Sequence, residues 1–164
     1  ETTNKKRIGV LNLMGNVFMK KCDDVFESSK KFIEKYKLKK DYDFLIVDFH
    51  GEITSEKMAI GNLFDGYATL VAGTHTHVPT NDARVLKNGT SYITDAGMCG
   101  DYDSVIGMNA QNSINRFLKK EAVKHFPANG EASLSGVVVD CDLRNGLAKN
   151  IESFIFGGSL KNVN

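Results

Sequence analysis

Three short apolar runs, separated by two stretches of helical periodicity, limit what this chain can fold into more than any other feature. Ile8 to Met14 is apolar except at Gly9 and Asn12, Phe44 to Phe49 is broken only by Asp48, and Thr69 to Ala72 closes the series. Each has the length and apolar character of a strand, and the first is apolar enough to be expected buried on both faces. Between the first two runs, Cys22, Val25, Phe26, Phe32, Ile33 and Tyr36 recur at the spacing of one helical face. Asp23 and Asp24 suit the N-terminal end of that helix, and Lys37, Lys39 and Lys40 its C-terminal end. Between the second and third runs, Ser55 is placed to cap a helix from Glu56 to about Phe64, with Ala59, Ile60, Leu63 and Phe64 along one side. The order strand, helix, strand, helix, strand predicts an α/β sheet with parallel neighbours.

Beyond Ala72 the character changes. Ala83 to Leu86 and Ser91 to Thr94, joined through Asn88-Gly89, predict a hairpin with a type I′ turn. Asn109 can cap a short helix whose apolar residues are Ile114, Phe117 and Leu118. Leu134 to Cys141 and Ala148 to Phe156, with a turn near Arg144-Asn145-Gly146, predict a second hairpin. There is no repeat, linker or low-complexity tract, so residues 1–164 are read without an internal domain boundary. A net charge of +1 gives no electrostatic case for nucleic acid or an anionic membrane. No apolar run is long enough to span a bilayer. Three widely spaced cysteines (Cys22, Cys99, Cys141) without a CxxC pair fit a reducing, cytoplasmic setting. The chain starts at Glu1 without an initiator methionine and enters a strand almost at once, as a processed form or a fragment of a longer protein would.

Chemistry is concentrated at two strand ends. Gly73-Thr74-His75-Thr76-His77-Val78-Pro79 follows the third run, and His50 ends the second, just before Gly51-Glu52. The C-terminal ends of parallel strands are where ligands bind in such sheets. Histidines two apart share a side of an extended segment, so His75 and His77 can face one ion or two adjacent ions, with His50 as a third donor. Asp48 either orients an imidazole from behind or caps a turn. The glycine-punctuated loop from Asp95 to Asp103 is either a phosphate cradle or a set of tight turns. Cys99 has no partner base in the pattern, and His125, in Lys124-His125-Phe126-Pro127, reads as a surface residue.

Gly73-Thr74-His75-Thr76-His77 resembles the last signature block of calcineurin-like metallophosphoesterases, and His50 the isolated histidine before it. Asp48 to Lys57, Gly73 to Pro79, Tyr92 to Gly100 and Ser104-Val105-Ile106-Gly107-Met108 resemble, in order and spacing, the bacterial YmdB-like phosphodiesterases. Asn12 to Gly15 and Leu134 to Asp140 fit as well. The resemblance implies a four-layer α/β/β/α sandwich with a dinuclear metal site that hydrolyses phosphodiesters such as 2′,3′-cyclic nucleotides. His50 and His75 match ligands of one ion and His77 a ligand of the other, the ions being iron or manganese, with zinc as an alternative. Gly51 stands where the family usually has alanine. The family's N-terminal blocks, which supply the bridging acid and the catalytic histidine, are absent, so no catalytic residue is assigned in this chain. It resembles the C-terminal portion, and either the missing half or an oligomer partner is expected beside it. Two alternatives stay open: a non-catalytic regulatory or interaction module, and a mononuclear three-histidine hydrolase.

Overall fold

The computed structural model describes residues 5–119 and 124–161. Strand β1 (Ile8–Met14), helix α1 (Val25–Lys35), β2 (Phe44–His50), α2 (Thr54–Leu63) and β3 (Leu70–Thr74) follow in the expected alternation. β4 (Arg84–Val85) and β5 (Ser91–Ile93) complete a five-stranded sheet in the order β1-β2-β3-β5-β4. β1, β2, β3 and β5 are parallel, and β4 returns antiparallel to β5. The short β6 (Gly100–Asp101), helix α3 (Ala110–Phe117) and the hairpin of β7 (Ala132–Cys141) and β8 (Ala148–Phe156) follow, with β6, β7 and β8 forming an antiparallel sheet. No helix among the described residues is long and apolar enough to cross a membrane.

Alternation along β2 divides the sheet into two faces. Leu45, Val47 and Phe49 point to the helices, where they form the core with Val25 of α1, Ile60 of α2 and Phe64 just beyond it, together with Val71 and Tyr92. Phe44, Ile46, Asp48 and His50 point the other way, toward the β7–β8 hairpin. A cleft of about 430 Å³ lies between Ile8, Phe44, Ile46 and Leu70 on one side and Val137 and Val139 on the other. Helices α1 and α2, the first sheet and the hairpin thus stack as three layers. The hairpin's turn is tied to the first sheet by Thr69 Oγ1 donating to Gly146 O at 2.6 Å and Ala148 N donating to Gly89 O at 2.8 Å.

Several local expectations change. β1 is an edge strand: Leu11 and Leu13 pack on the core, but Val10, on the other face, is 70% exposed, so the strand is not buried on both sides. α1 ends at Lys35 and its Asp24 cap accepts from Phe26 N and Glu27 N, whereas Lys37 to Lys40 lie in the turn beyond. α2 begins at Thr54, with no side-chain cap, and its buried residues are Glu56, Lys57, Ile60 and Gly61, not Ala59. The Asn88-Gly89 turn has a positive φ only at Gly89 (98°), and Gly89 N donates to Leu86 O. That is a type I turn closed by a left-handed residue rather than type I′. Asn109 caps α3 as expected, yet the helix buries Asn112 and Ser113 and leaves Ile114, Phe117 and Leu118 exposed.

Gly73 sits where the segment after β5 crosses the end of β3. A Cβ there would collide with the Thr94 carbonyl oxygen and press on the Lys57 stem. Because one partner is backbone, little can yield. Gly73→Ala is expected to cost about 3 kcal/mol or more, the upper end of overpacking. Urea denaturation measures this, and an unchanged midpoint would refute the close approach.

Candidate metal centre

Register brings the site together before any loop is considered. In the parallel ladder Asn12 lies beside Asp48 and Met14 beside His50. On the other flank Ala72 lies beside Asp48 and Thr74 beside His50. Side chains at paired positions share a face, so Asn12, Asp48, Thr74 and His50 form one patch at the C-terminal edge.

These groups make a chain of hydrogen bonds that fixes the His50 ring. Asn12 Nδ2 donates to Asp48 Oδ2 at 2.7 Å, and Thr74 Oγ1 donates to Asp48 Oδ1 at 3.0 Å. Having given up its one proton, the Thr74 hydroxyl accepts from His50 Nδ1–H at 3.1 Å. The Nε2 lone pair of His50 is thereby left facing outward. Burial, and then the neighbouring His75 ring, push the His50 pKa down and favour the neutral form that carries this lone pair. Asp48 therefore acts on His50 through Thr74 and not by direct contact.

His75 meets His50 at once. Its Nδ1 lies 3.0 Å from His50 Nε2, with the rings edge-to-face. On its far side, His75 Nε2 lies 2.8 Å from Glu52 Oε2, where Nε2–H donates to the carboxylate. With both outer nitrogens acting as donors, two lone pairs converge on one point. A proton or a metal ion between them relieves that opposition. The separation is close to the roughly 3.0–3.4 Å spanned by two nitrogens that each lie about 2.1 Å from a shared ion. The donor set therefore fits part of a transition-metal site.

His77 is placed elsewhere. The backbone leaves the extended region after Thr74, with φ 106° at His75 and 66° at His77. Strand alternation therefore does not set the two rings side by side, as their spacing suggested. His77 Nδ1–H donates to Ile106 O at 2.9 Å, which frees Nε2 for a ligand. Among the described residues no three His, Cys, Asp or Glu side chains are close enough to hold one ion, so a mononuclear three-histidine centre lacks a geometric basis. His125 belongs to neither group. Cys99 is exposed and only approaches Ser135 O at 3.7 Å.

The loop after β5 proves structural. Gly97 N donates to Asp95 Oδ1 and Met98 N to Tyr102 Oη, while Asp103 N and Gly130 N both donate to Asp101. These amides point inward, so they are not arranged as a phosphate cradle.

Sequence reasoning missed the groups that hold the edge together. Lys57, fully buried on α2, donates to Thr74 O at 2.7 Å and to Asp95 Oδ2 at 2.8 Å. Asp95 Oδ2 also accepts from Thr76 N at 2.9 Å, so one buried pair pins the chain on either side of His75. Its neighbour Glu56 accepts from Asn16 N at 2.9 Å and holds the loop after β1 in the same way. A lysine and a glutamate inside a helical pattern look like solvated residues. The usable signal was their position, on the face shared with Ile60 and Phe64.

Comparison with known proteins shows the family. A family model described as YmdB-like protein matches residues 1–154. The chain is 43% identical over 152 residues to a Bacillus subtilis protein named 2′,3′-cyclic-nucleotide 2′-phosphodiesterase, covering 93% of this chain and 57% of that one. The crystal structure of a hypothetical protein from Thermus thermophilus superposes with a TM-score of 0.87 at 34% identity, over 97% of this chain and 61% of that one. The crystal structure of a novel phosphatase from Mycoplasma pneumoniae superposes with a TM-score of 0.85 at 38% identity, over 96% and 56%. The chain thus spans between half and two thirds of the length of these relatives.

The Lys57–Asp95 pair leads to a stability prediction. Burial alone would raise the Asp95 pKa, but hydrogen bonds from Lys57, Thr76 and Gly97 outweigh it and hold the carboxyl below its usual range. A depressed carboxylate pKa stabilises the fold above the unfolded value of about 3.9, and that contribution is lost as pH falls through the folded value. Lys57→Met, which strands the Asp95 charge, should cost about 3–5 kcal/mol at pH 7. Lys57→Met/Asp95→Leu should recover part of this and flatten the loss of stability below about pH 4. Denaturation midpoints across pH 3–7 test both statements, and an equally steep acid limb in the double variant would refute the second.

Proposed function

The chain belongs to the YmdB-like family, and from that premise we propose that it carries part of the active site of a metal-dependent phosphodiesterase acting on diesters such as 2′,3′-cyclic nucleotides. The observation that carries the reading is the convergence of the His50 Nε2 and His75 Nδ1 lone pairs at 3.0 Å. The name of the Bacillus subtilis relative supports the substrate class.

His50 and His75 hold one ion and His77 the other. The ions are iron or manganese, with zinc as the alternative. When bound, they supply polarisation of the phosphate and activation of the attacking water. Asp48, through Thr74, fixes which nitrogen of His50 faces outward; Glu52 orients the His75 ring in the same way, and the Ile106 carbonyl the His77 ring. Three imidazoles bring no negative charge to offset the mutual repulsion of two divalent ions. A bridging carboxylate, the proton donor for the leaving oxygen and the remaining helical layer therefore come from residues outside this chain, in the length by which its relatives exceed it, or from a partner.

Metal analysis of the protein at its full natural length tests this directly. Two ions per protein are expected, with His50→Ala or His75→Ala removing one and His77→Ala the other. Turnover of bis-p-nitrophenyl phosphate with manganese should fall at least about 100-fold in each variant, since even outer partners of metal ligands are worth 10–100-fold. The 164 residues alone should show background activity. No bound metal at full length would favour the non-catalytic module instead.

A further inference from the structure

Residues Val105 to Met108 form a tight turn that is costly to build. Val105 N donates to Met108 O and Met108 N to Val105 O, both at 2.9 Å, and the two central residues, Ile106 and Gly107, have φ of 50° and 88°. This is a type I′ turn, whose first central position favours asparagine or glycine. A β-branched residue at positive φ is a genuine outlier. Holding His77 needs only the Ile106 carbonyl, which any residue supplies, yet the isoleucine side chain stands 53% exposed at the tip. Strain of this kind clusters at functional sites.

Val105 and Ile106 form a wall common to two clefts. One, of about 330 Å³, contains His77. The other, of about 310 Å³, is lined by Ser113, Arg116, Phe117 and His125. Ser113 is only 4% exposed, and its hydroxyl has no hydrogen-bond partner among the described residues. Phe117 is 83% exposed at the rim, because α3 turns its apolar side outward. An aromatic face, an aliphatic wall, an unsatisfied hydroxyl and two side chains with N–H donors make a mostly apolar cleft with a few polar groups. That combination suits a flat heteroaromatic ring with polar edges, which stacks on one side and hydrogen-bonds at its rim.

We propose that this second cleft is a nucleobase subsite. It seats the base of a nucleotide diester whose phosphate is handled across the Val105–Ile106 wall, at the histidines. Phe117 and Ile106 grip the ring, while Ser113, Arg116 and His125 read its edge. The inference rests on the phosphodiesterase reading for the placement of the phosphate but not for the binding of the base.

The test uses the protein at its full natural length. Adenosine, which has no phosphate, is titrated while the amide resonances of residues 105–117 are followed; saturable shifts confined to this region are expected. Phe117→Ala, at a side chain exposed enough to be removed without unfolding, should weaken binding about tenfold. Ile106→Asn relieves the turn, so it should raise Tm while weakening adenosine binding; a purely structural role would move both in the same direction. The ratio of kcat/KM for 2′,3′-cyclic AMP to that for bis-p-nitrophenyl phosphate should fall about tenfold in both variants, chiefly through KM. Absence of shifts at residues 105–117, or an unchanged ratio in both variants, overturns the subsite. Concentration-dependent dimerisation lost in Phe117→Ala, without adenosine shifts, would overturn it in favour of a second copy. Adenosine shifts without turnover of any diester would sustain the subsite and sink the phosphodiesterase reading.

Discussion

The ion pair between Lys57 and Asp95 is the constraint on which the functional edge depends. Both side chains are out of water, and burying two charges costs several kcal/mol per ion unless every lone pair and proton is used. Here most are used: Asp95 accepts from Lys57, Thr76 N and Gly97 N, and Lys57 also donates to Thr74 O. An apolar pair of the same volume could hold α2 against the sheet equally well, but it could not fix the backbone on both sides of His75. What the desolvation cost secures is a defined path for the loop. Glu56, one residue earlier, extends the same logic to the loop after β1, so a single helical turn governs the exits of β1, β3 and β5.

What α2 fixes from one face of the sheet is read out on the other. The apolar residues of β2 turn to the helices, and the intervening Asp48 and His50 turn to the opposite side. Parallel register then adds Asn12 and Thr74 from the flanking strands without any loop. A shift of one residue in the β1–β2 ladder would turn Asn12 away from Asp48, and one in the β2–β3 ladder would turn Thr74 away from His50. The apolar packing that stabilises the sheet and the orientation of the imidazole are therefore set by the same alternation. The Asp48 carboxylate reaches the ring only through a hydroxyl that has a single proton to give, and this decides which nitrogen of His50 is free.

Much of this was legible in the residues. Periodicity located β1 to β3, α1, α2 and the β7–β8 hairpin, because each is a local pattern tied to burial. The strand-end positions of His50 and His75 sufficed to predict that they meet. The failures share a physical cause, since they depend on what packs against an element from elsewhere. β1 looks doubly buried by composition but has a sheet neighbour on one side only. α3 shows an apolar pattern at Ile114, Phe117 and Leu118, yet the structure buries Asn112 and Ser113. The glycine loop after β5 resembles an anion cradle in one dimension, and only the carboxylates of Asp95 and Asp101 reveal where its amides point. Spacing misplaced His77 because the two-residue rule assumes an extended chain, and the chain ceases to be extended at the first histidine of the pair.

That departure explains how the site is held. His75, His77 and Ile106 all have positive φ, a conformation that side-chain-bearing residues adopt at a cost and keep only when their surroundings impose it. The surroundings can be named. Lys57 and Asp95 grip the backbone at Thr74 and Thr76, and Tyr102 Oη donates to His77 O at 3.1 Å. The 105–108 turn presents the carbonyl that His77 needs. All of these contacts are made by protein groups, and together they set the direction of each free ring nitrogen. Ligands aimed in advance lose less conformational freedom on binding. The buried lysine–aspartate pair, the strained turn and the Thr74 relay are in this sense one device, which uses stability from the core to keep three imidazoles in defined directions.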